Sequence, residues 1–212
     1  MKKFIFATLL AAAACSLMLC AKAYAQEKTI SSGSTLNDLM AAYNAESNSK
    51  AKYEAFAKKA NAEGYDALAS LFRAGAMAEQ VHMERHADII KKLGGTPKAE
   101  IKTPVVRSTK ENLEEAMEQE AYESAVIYPE YLKQAEKEGI EDAIAAFMYA
   151  KEAEAAHTRA YAKMLNNIDL SKGLTKAFYV CPLCGNILDA LVLRECPICG
   201  TNKEKFRKIA EY

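Results

Sequence analysis

AMAEQVHMERH, residues 76–86, and KEAEAAHTRAY, residues 151–161, each carry a glutamate followed three residues later by a histidine: Glu79 with His82, and Glu154 with His157. Residues three apart on an α-helix share a face, so each pair aims a carboxylate and an imidazole at one point. The pairs lie 75 residues apart, and the same offset aligns KKANAEGYDALASLF (58–72) with KQAEKEGIEDAIAAF (133–147) and Tyr53 with Tyr128. The chain therefore reads as a duplicated helical hairpin. Its halves predict an all-α four-helix bundle, joined by a long crossover that contains Pro97 and Pro104.

Two further stretches supply glutamates: AESNSKAKY around Glu46, and EQEAYESAVIYP (118–129), which carries Glu120 and Glu123. One Glu from each of two helices, plus a Glu and His at i, i+3 from each of the other two, is the donor pattern of a dinuclear metal cage in a bundle core. Five carboxylates and two imidazoles make an oxygen-rich set that suits iron or manganese. A single such pair is also ordinary decoration of a solvated helix face. Two pairs in repeat register, using two of only three histidines, favour metal.

Carried back to Glu46, the offset of 75 lands on Ala121 rather than Glu120, so the third helix holds one extra residue between its ligand and its tyrosine. An inserted residue is what a π-bulge absorbs, and the bulge is expected between Glu120 and Tyr128, beside Glu123. Pro129 is expected to kink the helix one turn farther on. Tyr53 and Tyr128 are placed to donate hydroxyls to ligating carboxylates, or to serve as plain core aromatics. His86, whose repeat counterpart is Tyr161, reads as a packed or surface histidine rather than a ligand.

The helices are expected at 35–62, turned by Glu63 and Gly64; at 65–93, stopped by Gly94 and Gly95; from Ser108, which forms a capping box with Glu111; and at 141–165. A bundle over 35–166 and a linker over 167–175 lead to a strand-rich segment, 176–212. CPLCG and CPICG in that segment bring Cys181, Cys184, Cys196 and Cys199, which can surround Zn²⁺ or a single iron. A purely structural zinc ribbon, or two redox disulfides, would use the same cysteines. Spacing does not separate iron from zinc.

Together AESNSKAKY, AEQVH, the ExxE of EQEAYESAVIYP, EAEAAH and the two knuckles resemble the rubrerythrin family over about residues 36–206. The resemblance implies a ferritin-like di-iron bundle followed by a rubredoxin-like domain with one iron, or alternatively zinc, on its four cysteines. It implies that Glu46, Glu79, His82, Glu120, Glu123, Glu154 and His157 hold two irons, with Glu123 and His82 as alternative ligands to one of them. The implied activity is reduction of hydrogen peroxide to water in defence against oxidative stress, with electrons relayed from an external donor, a rubredoxin or a reductase. Glu123, His82, Tyr53 and Tyr128 are then the catalytic candidates. A homodimer is implied, in which one subunit's thiolate iron approaches the other's bundle.

Two other classes use the same residues. A ferroxidase or iron-storage protein needs the bundle but no electron-relay domain, and a non-catalytic metal-binding protein with zinc in the knuckles keeps every ligand. Glu123, a donor beyond the six of the basic cage, speaks against a passive site.

Residues 1–25 pair Lys2 and Lys3 with an apolar run and an Ala23-Tyr24-Ala25 cleavage motif, which reads as a secretory signal peptide. Export to the periplasm is expected, with no membrane span after cleavage; Cys15 and Cys20 lack a convincing lipoprotein motif, so a lipid anchor is the lesser alternative. The whole chain balances 28 basic against 28 acidic residues, and removing those 25 residues, with their three lysines and no acids, leaves three net negative charges. No clustered basic face suggests nucleic acid.

Overall fold

A computed structural model describes residues 34–209 of the chain. The expected signal peptide, the polar stretch after it and the last three residues lie outside the described residues. The helices are α1 (Thr35–Ala62), α2 (Asp66–Lys92), α3 (Thr109–Tyr122), α4 (Tyr128–Glu138) and α5 (Glu141–Leu165). A π-helical segment, Glu123–Ile127, joins α3 to α4, so these two form one long third helix of a four-helix bundle.

The helix ends follow local chemistry. Ser34 caps α1 by accepting from the Asn37 amide, and Ser108 with Glu111 forms a reciprocal capping box at α3, devices each contributing about 1 kcal/mol. At the two hairpin turns, Gly64 (φ 78°) and Gly139 (φ 67°) adopt the left-handed conformation that ends a helix at little cost to glycine. The closing bonds repeat as well: Tyr65 N–H donates to the Ala60 carbonyl and Ile140 N–H to that of Ala135. Duplication is thus visible atom by atom.

The symmetry extends into the core. Tyr53 and Phe72 lie 6.3 Å apart between ring centres, and their repeat partners Tyr128 and Phe147 lie 6.0 Å apart. All four rings are buried, and each contributes roughly 2 kcal/mol by leaving water. The symmetry breaks at the third helix, where the π segment passes the Tyr128 N–H to the Glu123 carbonyl five residues back. This is the bulge that the repeat arithmetic requires. Pro129 is nearer to it than expected: the wide turn runs to Ile127, so the proline falls in the first turn of α4, where a missing N–H costs least.

The crossover, 94–107, has no helix or strand but is tied down. Asn44 and Asn48, one turn apart on α1, exchange hydrogen bonds with the backbone of Glu100 and Lys102 at 2.8–2.9 Å. Beyond the bundle, β1 (Phe178–Val180) is the centre of a three-stranded antiparallel sheet, flanked by β2 (Ile187–Leu188) and β3 (Arg207–Ile209). Phe178, Val180 and Ile187 join the same buried cluster as Tyr53, Leu68 and Phe72. Bundle and sheet therefore share one core, in one compact unit. Among the described residues, no helix is long and apolar enough to cross a membrane.

Candidate metal centres

Helical phase puts the expected donors on the inner faces. Glu46, Glu79, His82, Glu120, Glu123, Glu154 and His157 are all buried, none more than 3% exposed. Six of them fall into two overlapping groups of four, Glu46–Glu79–His82–Glu154 and Glu79–Glu120–Glu154–His157, with donor atoms within 4.8 Å of one another in each group. Glu79 and Glu154 belong to both groups. Each group would hold one ion, with Glu79 and Glu154 available to both. Glu123 is buried next to them but belongs to neither group, and its Oε1 accepts from Gln119 Nε2 at 3.1 Å.

The electrostatics call for cations. None of the four carboxylates in the two groups pairs with a lysine or arginine among the described residues, and Glu46 Oε2 and Glu79 Oε1 are buried without a hydrogen-bond partner. Burial, then the Glu46 and Glu120 carboxylates, push Glu79 well above the usual carboxylate range; burial with Glu120 and Glu79 does the same to Glu154. Burial works against charge on Glu120 too, but hydrogen bonds from Glu154 and His157 outweigh it and hold Glu120 down at about 2. Burial alone would lower His82, yet the carboxylates of Glu154 and Glu46 raise it to about 9. A divalent ion replaces these shared protons with charge of the correct sign.

Two tyrosines orient the outer carboxylates, and they cross between helices. Tyr53 on α1 donates to Glu120 Oε1 at 2.6 Å, and Tyr128 on α4 donates to Glu46 Oε1. Both phenols are pushed well above their ordinary pKa by burial and the nearby carboxylates, so they keep their protons and remain donors. His86 lies outside both groups, buried, with Nε2 3.4 Å from the Tyr128 hydroxyl. His82→Ala is therefore expected to lower the bundle's iron content per chain, while His86→Ala costs packing but leaves metal stoichiometry intact. Metal analysis distinguishes them, and equal losses would mean that α2 turns a different face inward.

In the second centre, all four knuckle cysteines are unbridged. The Sγ atoms of Cys181 and Cys199, and of Cys184 and Cys196, are 3.5 Å apart. That is far beyond a disulfide bond and close to the roughly 3.8 Å edge of a tetrahedron with metal–sulfur bonds of about 2.3 Å. Each knuckle closes through its glycine, Gly185 N–H to the Cys181 carbonyl at 3.0 Å and Gly200 N–H to the Cys196 carbonyl at 2.9 Å.

The centres meet within the chain. His82 Nε2 lies 3.0 Å from the Cys184 carbonyl, and His157 Nε2 lies 3.0 Å from the Gly185 carbonyl. Carbonyls only accept, so each Nε2 carries the proton and each Nδ1 is left to face the carboxylate groups as a metal ligand. Within the single chain the CPLCG knuckle lies on its own bundle, and the sheet beside it packs against α2 and α5. No pattern in the sequence marks the two carbonyls, since every residue has one.

A bundle presenting a shared carboxylate–imidazole site to a four-thiolate knuckle defines a di-iron redox protein with a ferritin-like fold and a rubredoxin-like module. The family model described as Rubrerythrin matches residues 37–165, and the chain belongs to the rubrerythrin family. Nigerythrin of Nitratidesulfovibrio vulgaris is 36% identical over 175 residues, covering 82% of this chain and 86% of that protein. Rubrerythrin of Porphyromonas gingivalis is 28% identical over 179 residues, 82% of this chain and 88% of its own. The solved structure of the fully reduced, all-ferrous state of nigerythrin superposes with a TM-score of 0.80 at 34% identity, covering 86% of this chain and 90% of that one. A bacterioferritin of Desulfovibrio desulfuricans, 23% identical with a TM-score of 0.62 over 66% of this chain and 87% of that one, shares the fold of the matched part. The cofactors are accordingly a pair of irons in the bundle and one iron on the cysteines, and the donor sets described above fit both.

Proposed function

We propose that this chain is a hydrogen peroxide reductase protecting an exported compartment from oxidative stress. The observation that carries this reading is the pair of 3.0 Å contacts from His82 and His157 to the peptide carbonyls of the CPLCG knuckle. Cys184 supplies a thiolate to one centre and, through its own carbonyl, the acceptor for a ligand histidine of the other. One residue separates the two.

When bound, iron supplies the electrons: two from the bundle pair for each peroxide, which with two protons gives two waters, and one at a time through the thiolate centre. The residues do the rest. Glu79 and Glu154 would serve both ions, with Glu46 and His82 holding one and Glu120 and His157 the other. Tyr53 and Tyr128 hold Glu120 and Glu46 in place without giving up their protons. Burial of all seven donors excludes bulk water, which strengthens every charge interaction inside. A storage protein has no use for a thiolate module seated against its ligand histidines, so the docked knuckle favours a reductase.

Around this core, the reading includes an external one-electron donor, a rubredoxin or a reductase, a homodimeric assembly, and export to the periplasm directed by residues 1–25. The test is to mix anaerobically reduced, iron-loaded protein with hydrogen peroxide and follow the visible bands of the thiolate iron. One peroxide is expected to be consumed for every two electrons withdrawn, with reoxidation of the thiolate iron following that of the bundle. Peroxide left unconsumed, or released radicals in one-electron stoichiometry, would refute the assignment. Cys196→Ser is expected to cut donor-driven peroxide consumption by about 100-fold or more, while the bundle remains helical by circular dichroism and still consumes one equivalent when chemically reduced.

A further inference from the structure

We propose that Gln119 is a latch that holds the Glu123 carboxylate outside the metal cluster, making Glu123 a reserve ligand whose entry Gln119 controls. This rests on the reading of the bundle as a dinuclear metal site. Glu123 is as buried as the cluster residues but stands apart from both donor groups.

What keeps it there is a set of contacts across α1 and α3. Gln119 Nε2 lies 3.1 Å from Glu123 Oε1 and 2.6 Å from Ser49 Oγ, while Gln119 Oε1 accepts from Lys52 Nζ at 2.8 Å. An ammonium group only donates, so the atom facing Lys52 must be the amide oxygen. That fixes the amide the other way round, with one N–H for Glu123 and one for Ser49. Ser49 is buried at 2% exposure and Lys52 is itself held by Glu115 at 2.8 Å, so a flipped amide would set its N–H groups against the ammonium and its oxygen against the Glu123 carboxylate. Glu123 opens the π segment, where the wider turn separates it from the regular stacking of α3. Its backbone thus suits a side chain with two positions, and Gln119 stabilises the outer one.

Losing a donor to the outer position shifts the balance inward and adds a carboxylate to the bound ion, so metal affinity rises. The experiment uses Mn²⁺, which prefers oxygen donors to thiolates, titrated into protein whose bundle is metal-free and whose cysteines hold zinc, with unbound Mn²⁺ read by electron paramagnetic resonance. Gln119→Leu is expected to tighten Mn²⁺ binding on the order of five- to tenfold, and Lys52→Met, a milder change that unfixes the amide, to tighten it by a smaller factor. In a Glu123→Gln background both effects should vanish, which a general loosening of the fold would not produce. Unchanged affinity in both single variants, or the same change with and without Glu123, overturns the latch alone. Failure of every form to bind Mn²⁺ in the bundle overturns the metal reading beneath it.

Discussion

With its bundle emptied of metal and its knuckle still loaded, the protein is expected to lose stability steadily as pH rises from about 5 to 8. Burial and neighbouring carboxylates hold Glu79 and Glu154 well above the ordinary 4.5, so the folded chain keeps protons that the unfolded chain releases. A carboxyl raised in this way opposes folding increasingly as pH climbs above the unfolded value. His82 acts in the same direction: raised from 6.5 to about 9, it adds stability fully present below 6.5 and lost as pH rises toward 9. Glu120, lowered to about 2, has the opposite dependence, contributing above 4.5 and losing that contribution as pH falls toward 2. His86, lowered by burial from 6.5 to about 3, favours higher pH only up to 6.5 and is one group against two carboxylates, so stability of the metal-free bundle should still fall above about pH 5. Uncompensated buried charges cost several kcal/mol each, so the midpoint of thermal unfolding should drop on the order of 10 °C between pH 5 and pH 8. Adding Fe²⁺ or Mn²⁺ anaerobically should flatten the curve. A midpoint that holds level or climbs over this range without metal would show that the carboxylates are not confined together.

Gly185→Ala is expected to slow electron transfer between the thiolate centre and the bundle by tenfold or more, while Gly200→Ala leaves it nearly unchanged. The two glycines have the same job in their knuckles, with φ of 75° and 73°, and alanine at either costs about 1–2 kcal/mol of backbone strain. Only Gly185 faces the bundle. A Cβ there would overlap His82 Nε2 and stand 3.0 Å from Cδ2 of the same ring, whereas nothing lies within 4 Å of a Cβ at Gly200. The added methyl must push the knuckle off the histidines, breaking the contacts of Cys184 and Gly185, and small displacements of reacting partners carry large rate penalties. Rapid mixing of thiolate-reduced, bundle-oxidised protein reads the rate, and unchanged visible bands confirm that the thiolate iron is intact. Equal rates in the two variants would mean that the electron path runs elsewhere.

Periodicity and arithmetic made most of the bundle legible. The i, i+3 spacing of Glu79/His82 and Glu154/His157 fixed the inward faces of α2 and α5, and the offset of 75 fixed the duplication. The failure of that offset at Glu120 located the π segment, because one surplus residue in a helix bonded at both ends has to widen a turn. Ser108 with Glu111, and the glycines at 94 and 95, marked helix ends through backbone hydrogen bonding that a few adjacent residues determine. The cysteine spacing likewise disclosed a four-thiolate site without reference to anything distant.

What joins residues far apart in the chain is set by the tertiary structure. Tyr53 reaches Glu120 and Tyr128 reaches Glu46, rather than carboxylates of their own helices, because the antiparallel packing of the two hairpins brings each ring level with the opposite half. The seat of the CPLCG knuckle on its own bundle, the choice of Nδ1 over Nε2 as metal-facing nitrogen, and the parking of Glu123 beside Gln119 depend on backbone carbonyls and side-chain rotamers that leave no trace in residue identity. Local bonding rules and helical phase act within a few residues, so the one-dimensional order encodes them. Docking, tautomer and ligand position are set by which surfaces exclude water together, and only the folded chain decides that.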